Sequence, residues 1–71
     1  MEDFKISMEA ARINAKKTQR EMAEELGIDR TSYIRYEKGE TIIRLDLAML
    51  FSSIVKIPMP YIDFYLPKIT A

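Results

Sequence analysis

In the stretch LGIDRTSYIRYEKG, Leu26 to Gly39, the residues Arg30, Thr31, Ile34, Arg35 and Lys38 recur at helical spacing, while Tyr33, Tyr36 and Glu37 recur on another side. The first set holds two guanidinium forks and an ammonium, groups that only donate hydrogen bonds, with a hydroxyl and methyl-bearing side chains among them. The second set has the makings of a buried face. The stretch is a short helix with one side built for the interior and the other built to reach outward.

Catalysis finds little to work with elsewhere in the chain. There is no histidine, so the commonest general base and metal ligand is missing, and no cysteine, so neither a disulfide framework nor a thiolate metal site can form. No catalytic cluster can be drawn, no cofactor or metal is expected, and the protein is not read as an enzyme. Lack of cysteine fits a reducing compartment. The opening MEDFKISMEA is acidic and lacks the apolar core of a signal peptide. No apolar run approaches the roughly 18 residues of a membrane span. A cytoplasmic protein with no membrane partner is the expectation.

The 71 residues, 48% of them hydrophobic, make one small domain near the lower limit for a self-sufficient core. With 2 glycines and 3 prolines, helices are favoured over loops. Eleven basic and eleven acidic residues cancel, so bulk electrostatics lends no support to nucleic-acid binding and only local pattern can.

The elements that must position the outward face follow from caps and periodicity. Ser7 can cap a helix running to about Lys16, with Met8, Ala11 and Ile13 as its apolar stripe. Thr18 with Glu21 three residues on is a capping box for a second helix, whose apolar face is Met22, Ala23 and Leu26 and whose end is Gly27. Asp29 caps the third, which Gly39 closes. Two short helices joined by so tight a turn must cross steeply, with small Ala23 at the crossing and Tyr33 opposite. A fourth helix fits Leu45 to about Val55, with Leu45, Ala48, Met49, Phe51, Ser52 and Val55 on one side. Pro60 opens a short fifth, PYIDFYL, and Pro67 stops it. Met8, Met22, Met49 and Met59 read as core filler.

Gln19 to Lys38 resembles the helix-turn-helix of the phage repressor and Cro family, the Xre-type regulators. The likeness rests on Gln19 at the helix start, apolar Met22, small Ala23, Leu26, Gly27 in the turn, Ile28, Tyr33, Tyr36 and the closing YEKG. It continues weakly through Leu45, Val55, Ile57 and Ile62. It implies an all-α, compact five-helix repressor-like domain filling residues 1–71, with the helix-turn-helix at about 18–39 and an apolar C-terminal segment at about 54–69. It also implies that the helix Arg30 to Lys38 enters the major groove of double-stranded DNA. Arg30, Thr31, Ile34 and Arg35 match base-reading positions, where an arginine fork suits guanine and methyl groups suit thymine. Gln19 matches a phosphate-binding glutamine, with Thr18, Lys17 and Lys38 as further phosphate contacts. Lys16, Lys17 and Arg20 fit a solvated face equally well. Arg12 and Glu37 match a buried ion pair joining the first helix to the end of the third.

Some features depart from the family pattern. The loop after Gly39 reads ETIIR, with Glu40 acidic, Ile42 and Ile43 apolar and only Arg44 positive. Glu24, Glu25 and Asp29 lie near the DNA side, and the last segment is rich in large apolar groups. A neutral chain should bind DNA weakly alone. A homodimer or a partner repressor protein is therefore expected, using Tyr61, Phe64, Tyr65, Leu66 and Ile69. Two functions remain open. One is a phage-, prophage- or plasmid-type transcriptional regulator reading operator DNA. The other is an antirepressor or modulator that grips a repressor through the same fold. No small-molecule ligand is evident.

Overall fold

Ser7, Thr18 and Asp29 each stand one residue before a helix and each turns its side-chain oxygen onto a backbone N–H of the first turn, at 3.0 Å in all three cases. These caps satisfy donors that a helix start leaves unpaired. The chain divides accordingly in the computed structural model, which describes residues 4–65. The order is β1 (Ile6–Ser7), α1 (Met8–Asn14), α2 (Gln19–Leu26), α3 (Arg30–Lys38), α4 (Leu45–Val55), a 3₁₀ turn (Met59–Tyr61) and β2 (Ile62–Asp63). The capping box is complete, because Glu21 also accepts from the Thr18 N–H at 2.9 Å. Gly27 and Gly39 end α2 and α3 at φ of 74° and 76°, a conformation glycine adopts without penalty.

The expected five helices are corrected to four among the described residues. Pro60 does start a turn, but one of 3₁₀ type only, and the chain then becomes extended: Ile62 has φ −111° and ψ 131°. Burial from Ile62 to Tyr65 alternates, in at Ile62 and Phe64 and outward at Asp63 and Tyr65, which is the period of a strand. β2 pairs in parallel with β1, Ile6 opposite Ile62 and Ser7 opposite Asp63. The fold is otherwise helical.

Two helix faces are also corrected. In α1 the buried residues are Met8, Ala11 and Arg12, while Ile13 is exposed. The helix stops at Asn14, and Lys16 takes a left-handed φ of 60° in the connection. In α4 the buried side is Leu47, Ala48, Phe51 and Val55; Leu45 and Met49 face outward. Met49 is thus no core filler, although Met8 and Met22 are wholly buried. Each fully buried apolar side chain of this size stabilises by about 1.5–3 kcal/mol.

The core gathers these residues with Ala23, Leu26, Tyr33, Ile43, Ile62 and Phe64. Phe64 meets Phe51 edge to face, with ring centroids 5.9 Å apart. Such pairs add about 0.5–1.5 kcal/mol beyond their area. The consequence for α3 is that it packs on α2 with Tyr33 inward and leaves its other face free.

Candidate nucleic-acid interface

Along α3 burial follows the helical period. Tyr33 and Glu37 are buried and Tyr36 is half-buried, while Arg30, Thr31, Arg35 and Lys38 are exposed and Ile34 is half-buried. Arg30, Thr31, Ile34 and Arg35 share the outward side, with Arg30 and Thr31 in its first turn. Arg30 also helps line a depression of about 280 Å3 with Thr18, Gln19 and Arg20. The start of α2 and the start of α3 therefore open on one place. Unpaired N–H groups and the positive end of the dipole at a helix start favour an anion there.

What holds α3 is a cluster centred on Glu37. Arg12 Nε of α1 donates to Glu37 Oε2 at 2.6 Å. Tyr33 Oη donates to the same oxygen at 2.5 Å. Gln19 Nε2 at the head of α2 donates to Oε1 at 3.2 Å. Arg12 Nη1 donates in addition to the Lys17 carbonyl at 2.9 Å, which ties down the link between α1 and α2. Among the described residues no buried side-chain nitrogen or oxygen lacks a partner. Burial works against the Arg12 charge, but the hydrogen bond and charge of Glu37 outweigh it and raise the guanidinium's pKa. Burial, reinforced by Glu37, pushes the Tyr33 phenol far above its ordinary value, so the hydroxyl remains a donor.

The expected pair of Arg12 and Glu37 thus exists but is part of something larger. The contributions of Tyr33, of Gln19 and of the Lys17 carbonyl lie outside the sequence reading. For Tyr33 there was a signal: it precedes Glu37 by one helical turn, where side chains meet. For Gln19 and Lys17 nothing local in the sequence shows the bond.

The other expected phosphate contacts are placed less uniformly. The Thr18 hydroxyl is engaged in its cap. Lys17 Nζ lies 2.5 Å from Glu25 Oε2, so its charge is shared with an acid of α2. Lys38 is exposed in the last turn of α3. Two acids that seemed misplaced on this side are accounted for: Lys17 offsets Glu25, and Asp29 binds both the N–H and the hydroxyl of Ser32.

The C-terminal set separates. Phe64 is removed from it, being buried in the core against Phe51. Tyr61 and Tyr65 are exposed, and Tyr65 lays its ring beside the α-carbon of Gly39, where an added Cβ would lie 3.2 Å from the ring. Leu66 and Ile69 lie outside the described residues. Ile43 joins the core while its neighbour Ile42 is exposed.

A capped helix pair joined by a tight glycine turn, with a clamped inner face and a donor-rich outer face, has the form of a helix-turn-helix. The helix-turn-helix family model HTH_3 matches residues 8–62, and the chain belongs to this Xre/Cro-type family of DNA-binding transcription regulators, a regulatory family and not one of enzymes. No curated protein and no solved structure matches the chain. Among the described residues no helix is long and apolar enough to cross a membrane, and no acidic group is arranged to hold a metal ion.

Proposed function

We propose that this chain is a regulator of phage, prophage or plasmid type that reads operator DNA through α3. Arg30, Thr31, Ile34 and Arg35 read base edges, and Gln19, the cap at Thr18, Lys17 and Lys38 grip the flanking phosphates. One observation carries this reading: the side of α3 away from the core presents Arg30, Arg35 and Lys38 as donors beside Thr31 and Ile34, while its inner side is fastened to both preceding helices through Glu37. A rigidly held helix places base contacts without ordering them during binding.

The test is selection of a preferred site from random duplexes, followed by substitution. Arg35→Ala and Thr31→Ala should each lose about 1–3 kcal/mol of discrimination at one base pair, whereas Lys38→Ala should weaken all sequences alike. Uniform weakening by all three would show that α3 reads nothing.

A second reading is supported by the apolar surface. Ile42, Leu45, Met49 and Tyr61 are exposed, and Leu45 borders a groove of about 110 Å3 formed with Ile43, Ala48, Met59 and Phe64. Contiguous exposed apolar groups mark protein contact sites. With a net charge of zero there is little general pull toward phosphate, so a second copy on this face would supply the missing affinity by joining two recognition helices. Occupation by a repressor in place of a second copy would make the chain an antirepressor or modulator. Sedimentation with and without DNA separates the two: a dimer on DNA supports the first, a complex with a repressor and no DNA the second.

A further inference from the structure

Glu37 lies on the buried side of α3, yet it bonds Gln19, which with Thr18 and Arg20 lines the depression beside Arg30. Its two oxygens are divided. Oε2 is taken by Arg12 and Tyr33, which leaves Oε1 to Gln19. A carboxylate has no proton to give, so the edge of the Gln19 carboxamide turned toward it must be the NH₂ edge. That fixes which way round a group with two nearly identical ends is held. One N–H is spent on Glu37, and the other diverges from it in the amide plane and remains for an outside acceptor.

We propose that Glu37 is a positioning residue for DNA: it holds Gln19 so that a phosphate meets an N–H and not the carbonyl oxygen. The proposal rests on the DNA-binding reading of α3 and adds to it a role for a buried acid that never touches the ligand. A carboxamide free to turn would spend part of its time with its oxygen toward the phosphate, acceptor against acceptor, and would have to be ordered on contact. Arg12 and Tyr33 keep the carboxylate itself from turning.

The test is a double-mutant cycle on DNA affinity, using duplexes of arbitrary sequence over a range of salt. Glu37→Gln keeps the shape of the side chain but can face Gln19 with either an acceptor or a donor. It should weaken binding several-fold at every salt concentration, because a neutral carboxamide releases no counter-ion, and leave the ratio between sequences unchanged. In a Gln19→Ala background the same substitution should cost no further affinity, because its route to DNA is gone. Additive losses would overturn the proposal, since they would mean that Glu37 acts on the fold alone. A second readout does not depend on the variant folding. In the parent, one Gln19 side-chain amide proton should be shifted downfield and slow to exchange; two rapidly exchanging protons at free-amide positions would equally overturn it. A parent that binds no DNA at all would remove the functional reading together with this one, whereas a parent that binds, with additive losses, removes only this one.

Discussion

Tyr33 Oη and Arg12 Nε converge on a single oxygen of Glu37, at 2.5 and 2.6 Å, so the acid near the end of α3 is held by a phenol of its own helix and a cation of another. Both charged partners are buried, at 8% and 9% exposure. Removing one charge from such a site leaves the other unpaired in a poorly solvated place. Glu37→Ala should therefore lower stability by about 3–5 kcal/mol, read from urea unfolding. Replacing Arg12 by Met and Glu37 by Leu should recover only part of that, because the Tyr33 hydroxyl then has no acceptor; adding Tyr33→Phe should recover more. A triple variant no better than the double would show the hydroxyl to be unimportant.

The helix caps make stability depend on pH at the acid end. Ser32, through its hydroxyl and N–H, holds Asp29 below its ordinary value of 3.8, and the Thr18 N–H holds Glu21 below 4.5. A carboxyl depressed in the folded state contributes stability that is present above its unfolded value and is lost as pH falls through its folded value. The melting temperature should thus drop on acidification from about pH 5 downward, and Asp29→Asn, which keeps a capping oxygen, should flatten that drop. An equally steep fall in the variant would place the acid sensitivity elsewhere.

The two glycines test what the Tyr65 ring does. Gly27 and Gly39 have nearly the same φ, but a Cβ at Gly27 meets nothing within 4 Å, whereas at Gly39 it lies 3.2 Å from Tyr65. Gly27→Ala should cost only the left-handed conformation, roughly 1–2 kcal/mol. Gly39→Ala should cost more, and the excess should vanish in a Tyr65→Ala background. Equal costs in the parent would mean that the ring yields freely.

The apolar face of α4 should govern self-association. Leu45 and Met49 are one helical turn apart and both exposed. Leu45→Glu or Met49→Glu should leave the free energy of unfolding within about 0.5 kcal/mol of the parent, as expected of exposed positions. If a second copy docks here, either change shifts sedimentation at micromolar concentration toward monomer and weakens DNA binding. An unchanged dimer would move the interface away from α4.

The helix-turn-helix was legible because its signals are local. Thr18 with Glu21, Gly27, Asp29 and Gly39 specify starts and stops within four residues of themselves, and α2 and α3 run as those signals predict. The errors share a cause: they needed knowledge of a distant partner. Ile62 looks helical beside Pro60 until β1 is there to pair with it. Ile13 does not join the inner side of α1, which Arg12 occupies to meet the acid on α3, as the resemblance implies. Leu45 and Met49 read as inward-facing from their apolar character, but α4 has more apolar residues than one buried side can take. In the candidate interface, the outward residues of α3 were readable from period alone, while the bond between Gln19 and Glu37 was not.

The pairing of Ile6 with Ile62 also bears on the order in which the molecule assembles. Helical contacts between near neighbours form quickly, whereas a pairing between the far ends must wait for a long loop to close. The penalty for closing so long a loop grows only with the logarithm of its length, so lateness and not expense distinguishes this step. Ser7 belongs both to β1 and to the cap of α1, so the same late event steadies the first helix, from which Arg12 reaches Glu37. The contacts of α2 with α3 are short-range and those of β1 with β2 long-range, so the helix pair belongs to the early part of assembly and the strand pairing to the late part.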